Sequence, residues 1–297
     1  MRTRTSVLIF ILALAFIGEA NAGEIDWPKV DAALGKTASV QGEVHRYGIP
    51  RSDLKVTLDG VAIKPALALG GWLGFEPIHD GALVMGDLVL TEAEVNPVMS
   101  KLLESGIEIT AVHNHLMRAN PATFFMHIHG HGDPVAMATA IHAALTHSKT
   151  PFGAAVASAA PTTPIGLDTD KLDAAIGAKG KVNGGVYQFS VPREEPITED
   201  GTPIPPAMGT AIGINFQPTG GAKAAITGDF VVTAEELNPT IRALRENGIE
   251  VTAIHNHMLD EKPRLFFVHF WANDDAVKLA KGPTSSACED RRREELV

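Results

Sequence analysis

The residues of this chain best suited to chemistry are crowded into one stretch, "VHNHLMRANPATFFMHIHGHGD", Val112 to Asp133, which carries five of the twelve histidines: His113, His115, His127, His129 and His131. Imidazoles two apart on a strand share a face, and residues opposed across antiparallel strands point to the same side. A hairpin that pairs His113 with His127 or His129 would therefore gather the rings around one cation, with zinc or copper the transition metals best matched to nitrogen ligands. Three imidazoles and an open position form the ligand set of a catalytic metal, and Asp87, Glu76 and Asp133 are the acids placed to act as an extra ligand, a supporting partner or a general base. His45 and His79 are weaker candidates, and His142 and His147 are expected on the surface of a helix.

A lone His-x-His carries little information, but here the chain repeats it. The sequence aligns with itself at an offset of 142 residues: "GIEITAVHNHLMRANPATFFMH" from Gly106 answers "GIEVTAIHNHMLDEKPRLFFVH" from Gly248. Gly86-Asp87 maps to Gly228-Asp229, and Asn96-Pro97 to Asn238-Pro239. His255, His257 and His269 thus repeat His113, His115 and His127, whereas Trp271 and Asn273 stand where the first copy has His129 and His131. The expected metal ligands are His113, His115, His127, His129 and His131 in the first copy, and His255, His257 and His269 in the second. Whether the copies share one site, and whether the histidines are instead hydrogen-bonded structural residues, stays open at this point.

The elements that must position these residues can be read from local signals. "ALVMGDLVL", Ala82 to Leu90, reads as a strand bent at Gly86-Asp87. Thr91 and Glu94 form a capping-box pattern, Asn96-Pro97 supplies a second start signal, and Gly106 a stop, which predicts a helix over 97–105. Strands are expected over 107–115 and 123–131, with Ile107 and Ile109 on the face of His113, followed by a helix opening at Pro134 behind Asp133. The fold class is α+β: two tandem repeats, each a mainly antiparallel sheet with helices packed on it and a β-α-β-β-α core. "REEPITEDGTPIPP", Arg193 to Pro206, reads as a surface loop.

Domain organisation follows from the repeat and the ends of the chain. Residues 1–22 pair Arg2 and Arg4 with an apolar run and an Ala20-Asn21-Ala22 cleavage pattern, so they are expected to be a signal peptide that directs export to the periplasm or beyond. Residues 23–150 form the first repeat, 151–166 a small-residue and proline-rich linker, 167–281 the second repeat, and 282–297 a tail. The apolar run falls short of the roughly 20 residues a membrane span needs. Formal charge is -10, and removing residues 1–22 makes it -11, which disfavours nucleic acid and anionic lipid as partners and leaves a metal ion or small molecule. Cys288 is the only cysteine, so no intrachain disulfide can form.

Other uses of these motifs are excluded by what surrounds them. The two "HNH" triplets lack the basic surface of a nuclease, the cupin pattern expects a glutamate that "HNHLMRANP" does not supply, and H-E-x-x-H, G-x-S-x-G, P-loop and dinucleotide fingerprints are missing. The paired blocks "GIEITAVHNHLM...FFMHIHGHGD" and "GIEVTAIHNHML...FFVHF", preceded by "GDLVLTEAEVNPV" and "GDFVVTAEELNPT", resemble the LppY/LpqO family of exported bacterial proteins, and the resemblance spans nearly the whole chain after residue 22. It implies export and duplication and lends no reaction; the lipid-bearing cysteine of lipoprotein members is not matched here. The expectation is an exported metal-binding protein, either a metal-dependent hydrolase using metal-activated water or a non-catalytic metal- or ligand-binding module.

Overall fold

The computed structural model describes residues 25–152 and 165–282. The expected signal peptide, most of the expected linker and nearly all of the expected tail, Cys288 included, lie outside them.

The first repeat runs α1 (Trp27–Leu34), β1 (Ser39–Gln41), β2 (Val44–Pro50), β3 (Thr57–Leu58), β4 (Val61–Ala62), α2 (Pro65–Ala68), β5 (Gly70–Ile78), β6 (Gly81–Thr91), α3 (Glu92–Glu104), β7 (Glu108–His113), β8 (Thr123–Gly132) and α4 (Pro134–Leu145). The second runs α5 (Thr169–Ile176), β9 (Lys181–Asn183), β10 (Val186–Val191), β11 (Thr198–Glu199), β12 (Thr202–Pro203), a 3-10 turn (Pro206–Met208), β13 (Ile212–Gly220), β14 (Lys223–Val232), α6 (Ala234–Glu246), β15 (Glu250–His255), β16 (Glu261–Lys262) and β17 (Phe266–Asp275), and residues 276–282 are helical. Each repeat builds a six-stranded sheet, in the order β1-β2-β5-β6-β8-β7 and its counterpart β9-β10-β13-β14-β17-β15, and every neighbouring pair is antiparallel. The protein is thus two α+β repeats in tandem.

Start and stop signals recur at the same offset. Asp26 and Asp168 cap α1 and α5, which end at left-handed Gly35 and Gly177. Capping boxes at Thr91/Glu94 and Thr233/Glu236 start α3 and α6. Here the expected helix start at Pro97 is corrected: the helix begins five residues earlier, and Pro97 lies inside it. Glu94 explains why. Besides accepting from Thr91 N, its carboxylate pairs at 2.7 Å with Arg51, a guanidinium with no exposed surface that also donates to Val89 O. Arg193, Glu236 and Val231 repeat this clamp.

On one face of each sheet, apolar residues meet that repeat's own helices: Leu88, Met126 and Ile128 with Val98 and Ile141 in the first, Ile214, Phe230 and Phe270 with Leu244 and Leu279 in the second. The opposite faces look toward one another, and a segment from each repeat crosses to the other. The α2 segment sits on the second sheet, where Gln217 accepts from Lys64 N and donates to Ala62 O. Reciprocally, residues 197–208 bury Ile197, Ile204 and Met208 against Val44, Leu83 and Met85 of the first sheet. The expected surface loop over 193–206 is therefore a small hairpin wedged between repeats. Its charged residues are compatible with this position because Glu199 pairs with the buried His129, and Arg193 pairs with Glu236.

The expected strand over 82–90 is β6, continuous in register through Gly86-Asp87, where Gly86 allows close packing, since a Cβ there would lie 2.7 Å from Leu73 Cδ2 and 2.9 Å from Trp72 O. The next strand is revised. β7 ends at His113 and is bulged at Thr110, so Ile109 pairs with Ile128 on the helix side while Ala111 pairs with His127 on the other. Ile107 and Ile109 consequently pack under the helices and do not line the histidine face.

Candidate metal centre

The Thr110 bulge sets up the site. By shifting β7 one residue, it moves His113 onto the face that looks toward the second repeat, and Thr252 does the same for His255. The register differs from the expected one: His113 lies opposite Phe125, and His127 opposite Ala111. His113 and His127 still meet diagonally, Nε2 to Nε2 at 3.0 Å. His115, just past the strand, lies flat on Phe125 with ring centroids 3.3 Å apart, and His257 on Phe267 at 3.4 Å.

The two hairpins interleave. His113 stacks on His255 at 3.4 Å, His115 on His269 at 3.6 Å and His127 on His257 at 3.9 Å. Exchanging the repeats returns the first pair to itself and converts the second into the third, so a pseudo-two-fold axis passes between His113 and His255. Both repeats therefore contribute to a single cluster of six imidazoles. Asp87 and Asp229 complete it at opposite ends: Asp87 Oδ1 lies 4.0 Å from His127 Nε2, and Asp229 lies 3.3 Å from His257 Nε2 and 3.7 Å from His269 Nε2.

Three groups have ligand atoms within 4.8 Å of one another: His113, His115, His255 and His269; His127, His255 and His257; and Asp87, His115 and His127. Second contacts orient the rings. His269 Nδ1 lies 2.7 Å from Gly228 O and His255 Nδ1 lies 3.1 Å from Asn256 O. A carbonyl only accepts, so these Nδ1 atoms carry the proton and the Nε2 lone pairs face inward. Those inward atoms have no hydrogen-bond partner: Nε2 of His115, His255, His257 and His269, Nδ1 of His113, and Oδ1 of Asp87 and Asp229 are all buried and unpaired. At about 1–3 kcal/mol for each unsatisfied buried group, leaving them unpaired is costly for a hydrogen-bonded structural core, and a cation held by any one of the three groups would satisfy the atoms of that group.

The electrostatics agree with that donor set. Burial holds His113 down to about 2, helped by His255 and His257, and His269 down to about 3. His115, His127 and His257 are pushed well below the usual imidazole range by burial first and by neighbouring imidazoles next. Neutral imidazole is the form that binds metal. Asp87 is raised well above the usual carboxylate range by burial and then by Asp229, although Arg46 pulls the other way. Two carboxylates and six imidazoles without a positive charge among them make an environment that a divalent ion would relieve.

The remaining expected residues fall elsewhere. His129 leaves the cluster, its Nε2 2.9 Å from Glu199 and its Nδ1 3.6 Å from Glu108. Burial lowers its affinity for a proton, but these two carboxylates outweigh that and raise it. His131 is exposed and meets His129 edge-on. Asp133 caps α4 through Ala136 N at 2.7 Å, and Glu76 lies on β5 opposite Leu83, raised by burial and by Glu43, outside every converging group. His45 stacks on Trp27, and His79 is exposed beside Asp80. His142 is not a surface residue: it is half-buried, with Nδ1 2.8 Å from Leu34 O, and ties α4 to α1. Sequence reasoning passed over Asp229, although the 142-residue offset from Asp87 marked it, and it had no signal for Glu199, Arg46 or Trp72.

A family model described as Domain of Unknown Function (DUF1259) matches twice, over residues 28–147 and 170–287. No curated protein matches the chain. The crystal structure of a trimeric bacterial microcompartment shell protein, PduB, aligns over 84% of this chain and 88% of its own at 14% identity, with a TM-score of 0.20, too low to bear on fold or function.

Proposed function

We propose, for a chain that belongs to the Domain of Unknown Function (DUF1259) family in two copies, that its function is to bind a transition metal ion between the repeats. The observation that carries this reading is the convergence of six imidazoles and Asp87 in three overlapping groups, most of whose ligand atoms are buried and unpaired. Nitrogen-dominated ligation without thiolate favours zinc or copper. Export to the periplasm or beyond belongs to the same reading, supported by the apolar N-terminal run with its Ala20-Asn21-Ala22 pattern and by the likeness of the paired blocks to LppY/LpqO proteins. Among the described residues no helix is long and apolar enough to cross a membrane.

A catalytic role, metal-dependent hydrolysis of a small molecule, has one observation in its favour. Asp87 and Asp229 lie at either end of the imidazole cluster, where a carboxylate can accept a proton from water activated in the centre. Storage or carriage of the metal uses the same ligands without that step.

Elemental analysis of the purified full chain tests the binding reading. Stoichiometric zinc or copper in the wild type, lost in His127→Ala and kept in His147→Ala, supports it. A wild type that takes up neither metal overturns it. Hydrolysis of ester, amide or phosphoester substrates by the loaded protein, lost in Asp229→Asn with metal retained, would distinguish the enzyme from the carrier.

A further inference from the structure

We propose that this metal centre is open on one side only, at the corner formed by Gly213 and Asp229, and that small ligands reach the bound ion there while Trp72 closes the matching corner. The inference rests on the metal reading above and adds a direction of approach to it.

The pseudo-two-fold axis makes the two corners directly comparable. Trp72 pairs across the sheet with Asp87, and Gly213 pairs with Asp229. Trp72 fills its corner: Arg46 lies 4.0 Å above its ring, and a Cβ on Gly209 would come within 2.6 Å of its Cζ2. That same Cβ would lie 3.8 Å from His257 Nδ1. Gly213 stands on the inner face as well, since Ile214 and Phe216 on either side of Asn215 pack under the helices. A Cβ built on Gly213 meets nothing within 4 Å. One corner therefore holds an indole where the other holds no side chain.

Two further differences separate the repeats. The Asp229 side chain is 20% exposed and that of Asp87 12%. The loop of His257 is clamped by Thr110, whose Oγ1 donates to His257 O at 2.5 Å and whose carbonyl accepts from Asn256 Nδ2 at 3.0 Å. The matching hydroxyl, Thr252 Oγ1, has no partner. Charge follows the same division. Arg46 lies close enough to Asp87 to offset its charge, and the residue in its place in the second repeat is Gln188, which donates to Ala66 O. Asp229 is thus the carboxylate left to take a hydrogen bond from an incoming ligand. The space left by the missing side chain at Gly213 suits water and small monodentate ligands.

Cobalt(II)-loaded full chain provides the test, with azide as the small ligand followed by visible absorption and with the rate of cobalt loss to EDTA as a second readout. Gly213→Trp is expected to abolish the azide response and slow cobalt loss at least tenfold with full cobalt content. Gly213→Leu, a smaller change should the tryptophan variant fail to fold, is expected to weaken azide binding severalfold. Trp72→Ala is expected to keep the azide response and to lose cobalt no more slowly than the wild type. Full cobalt content with wild-type azide affinity in both Gly213 variants overturns the open corner alone. A wild type that binds no cobalt overturns the metal reading and this inference with it.

Discussion

His255→Ala is the sharpest test of the centre, because His255 belongs to two of the converging groups and lies beside the pseudo-two-fold axis, stacked on His113. Structural zinc sites with four ligands are worth about 10–16 kcal/mol, so one ligand accounts for about 3 kcal/mol and its loss should weaken binding about a hundred- to a thousandfold. With free metal at about 100 times the wild-type Kd, binding stabilises the wild type by about 2.7 kcal/mol and the variant by almost nothing, a difference in Tm of roughly 5 °C. In the metal-free protein the same substitution removes a ring whose Nε2 is buried and unpaired, so lost packing is offset by relief of an unsatisfied group of about 1–3 kcal/mol. The expected signature is therefore near-equal melting of the two metal-free proteins and a gap that opens on adding zinc. Calorimetric melting with and without metal, together with a competition titration against a chelator, measures both. Equal zinc stabilisation of wild type and variant would refute the reasoning, as would a metal-free variant that melts far below the wild type, which would make the ring a packing residue.

Four other outcomes follow from the geometry. His129→Ala should retain full metal and lose stability, and a double-mutant cycle with Glu199→Ala should give a coupling of about 1 kcal/mol or more, read from denaturant melts; loss of metal in His129→Ala would return that residue to the ligand set. Arg51→Ala should cost about 3–5 kcal/mol in urea unfolding because it leaves the Glu94 carboxylate buried without its partner. Glu94 is held below the ordinary carboxylate range by Arg51 and main-chain donors that outweigh burial, so its contribution is complete above the unfolded-state pKa and is lost as pH falls through the folded one; Glu94→Gln should flatten that acid limb of stability. Gly228→Ala should be more damaging than Gly86→Ala, since its Cβ would fall 1.9 Å from Gly213 O, against 2.9 Å from Trp72 O for Gly86; equal melting temperatures would contradict this.

Much of this architecture was legible from local signals. The 142-residue offset, the proline start of α4 at Pro134, and the shared parity of His127 with Phe125 need only sequence periodicity, and each corresponds to an element of the structure. The register of β7 was not legible because a bulge at Thr110 carries no distinctive residue and is held by Thr110 bonding to His257, a contact 147 residues away. The same long-range dependence hid the partners of His129. Within its own strand His129 is indistinguishable from His127, and only the hairpin at Thr198–Glu199, folded in from the other repeat, draws it away. The helix start at Glu92 was written in the capping box, but Asn96-Pro97 competed with it, and the buried Arg51 that fixes Glu94 lies 43 residues upstream. The repeat marks Asp229, through Asp87, just as it marks His255, His257 and His269.

The stacking of His113 on its own equivalent, His255, has a consequence for how such a centre can arise and change. A ligand cluster lying across a two-fold axis can be assembled by two identical single-repeat chains, but any substitution in such a homodimer is made twice, at both ends of the site. Fusing the two halves into one polypeptide lifts that constraint. Trp72 can then stand opposite Gly213, Arg46 opposite Gln188, and His129 opposite Trp271, each altering one end alone. It follows that an isolated half of this chain holds only three of the six imidazoles and can complete the cluster only by pairing with a second half, so the covalent link is what allows the two ends to specialise.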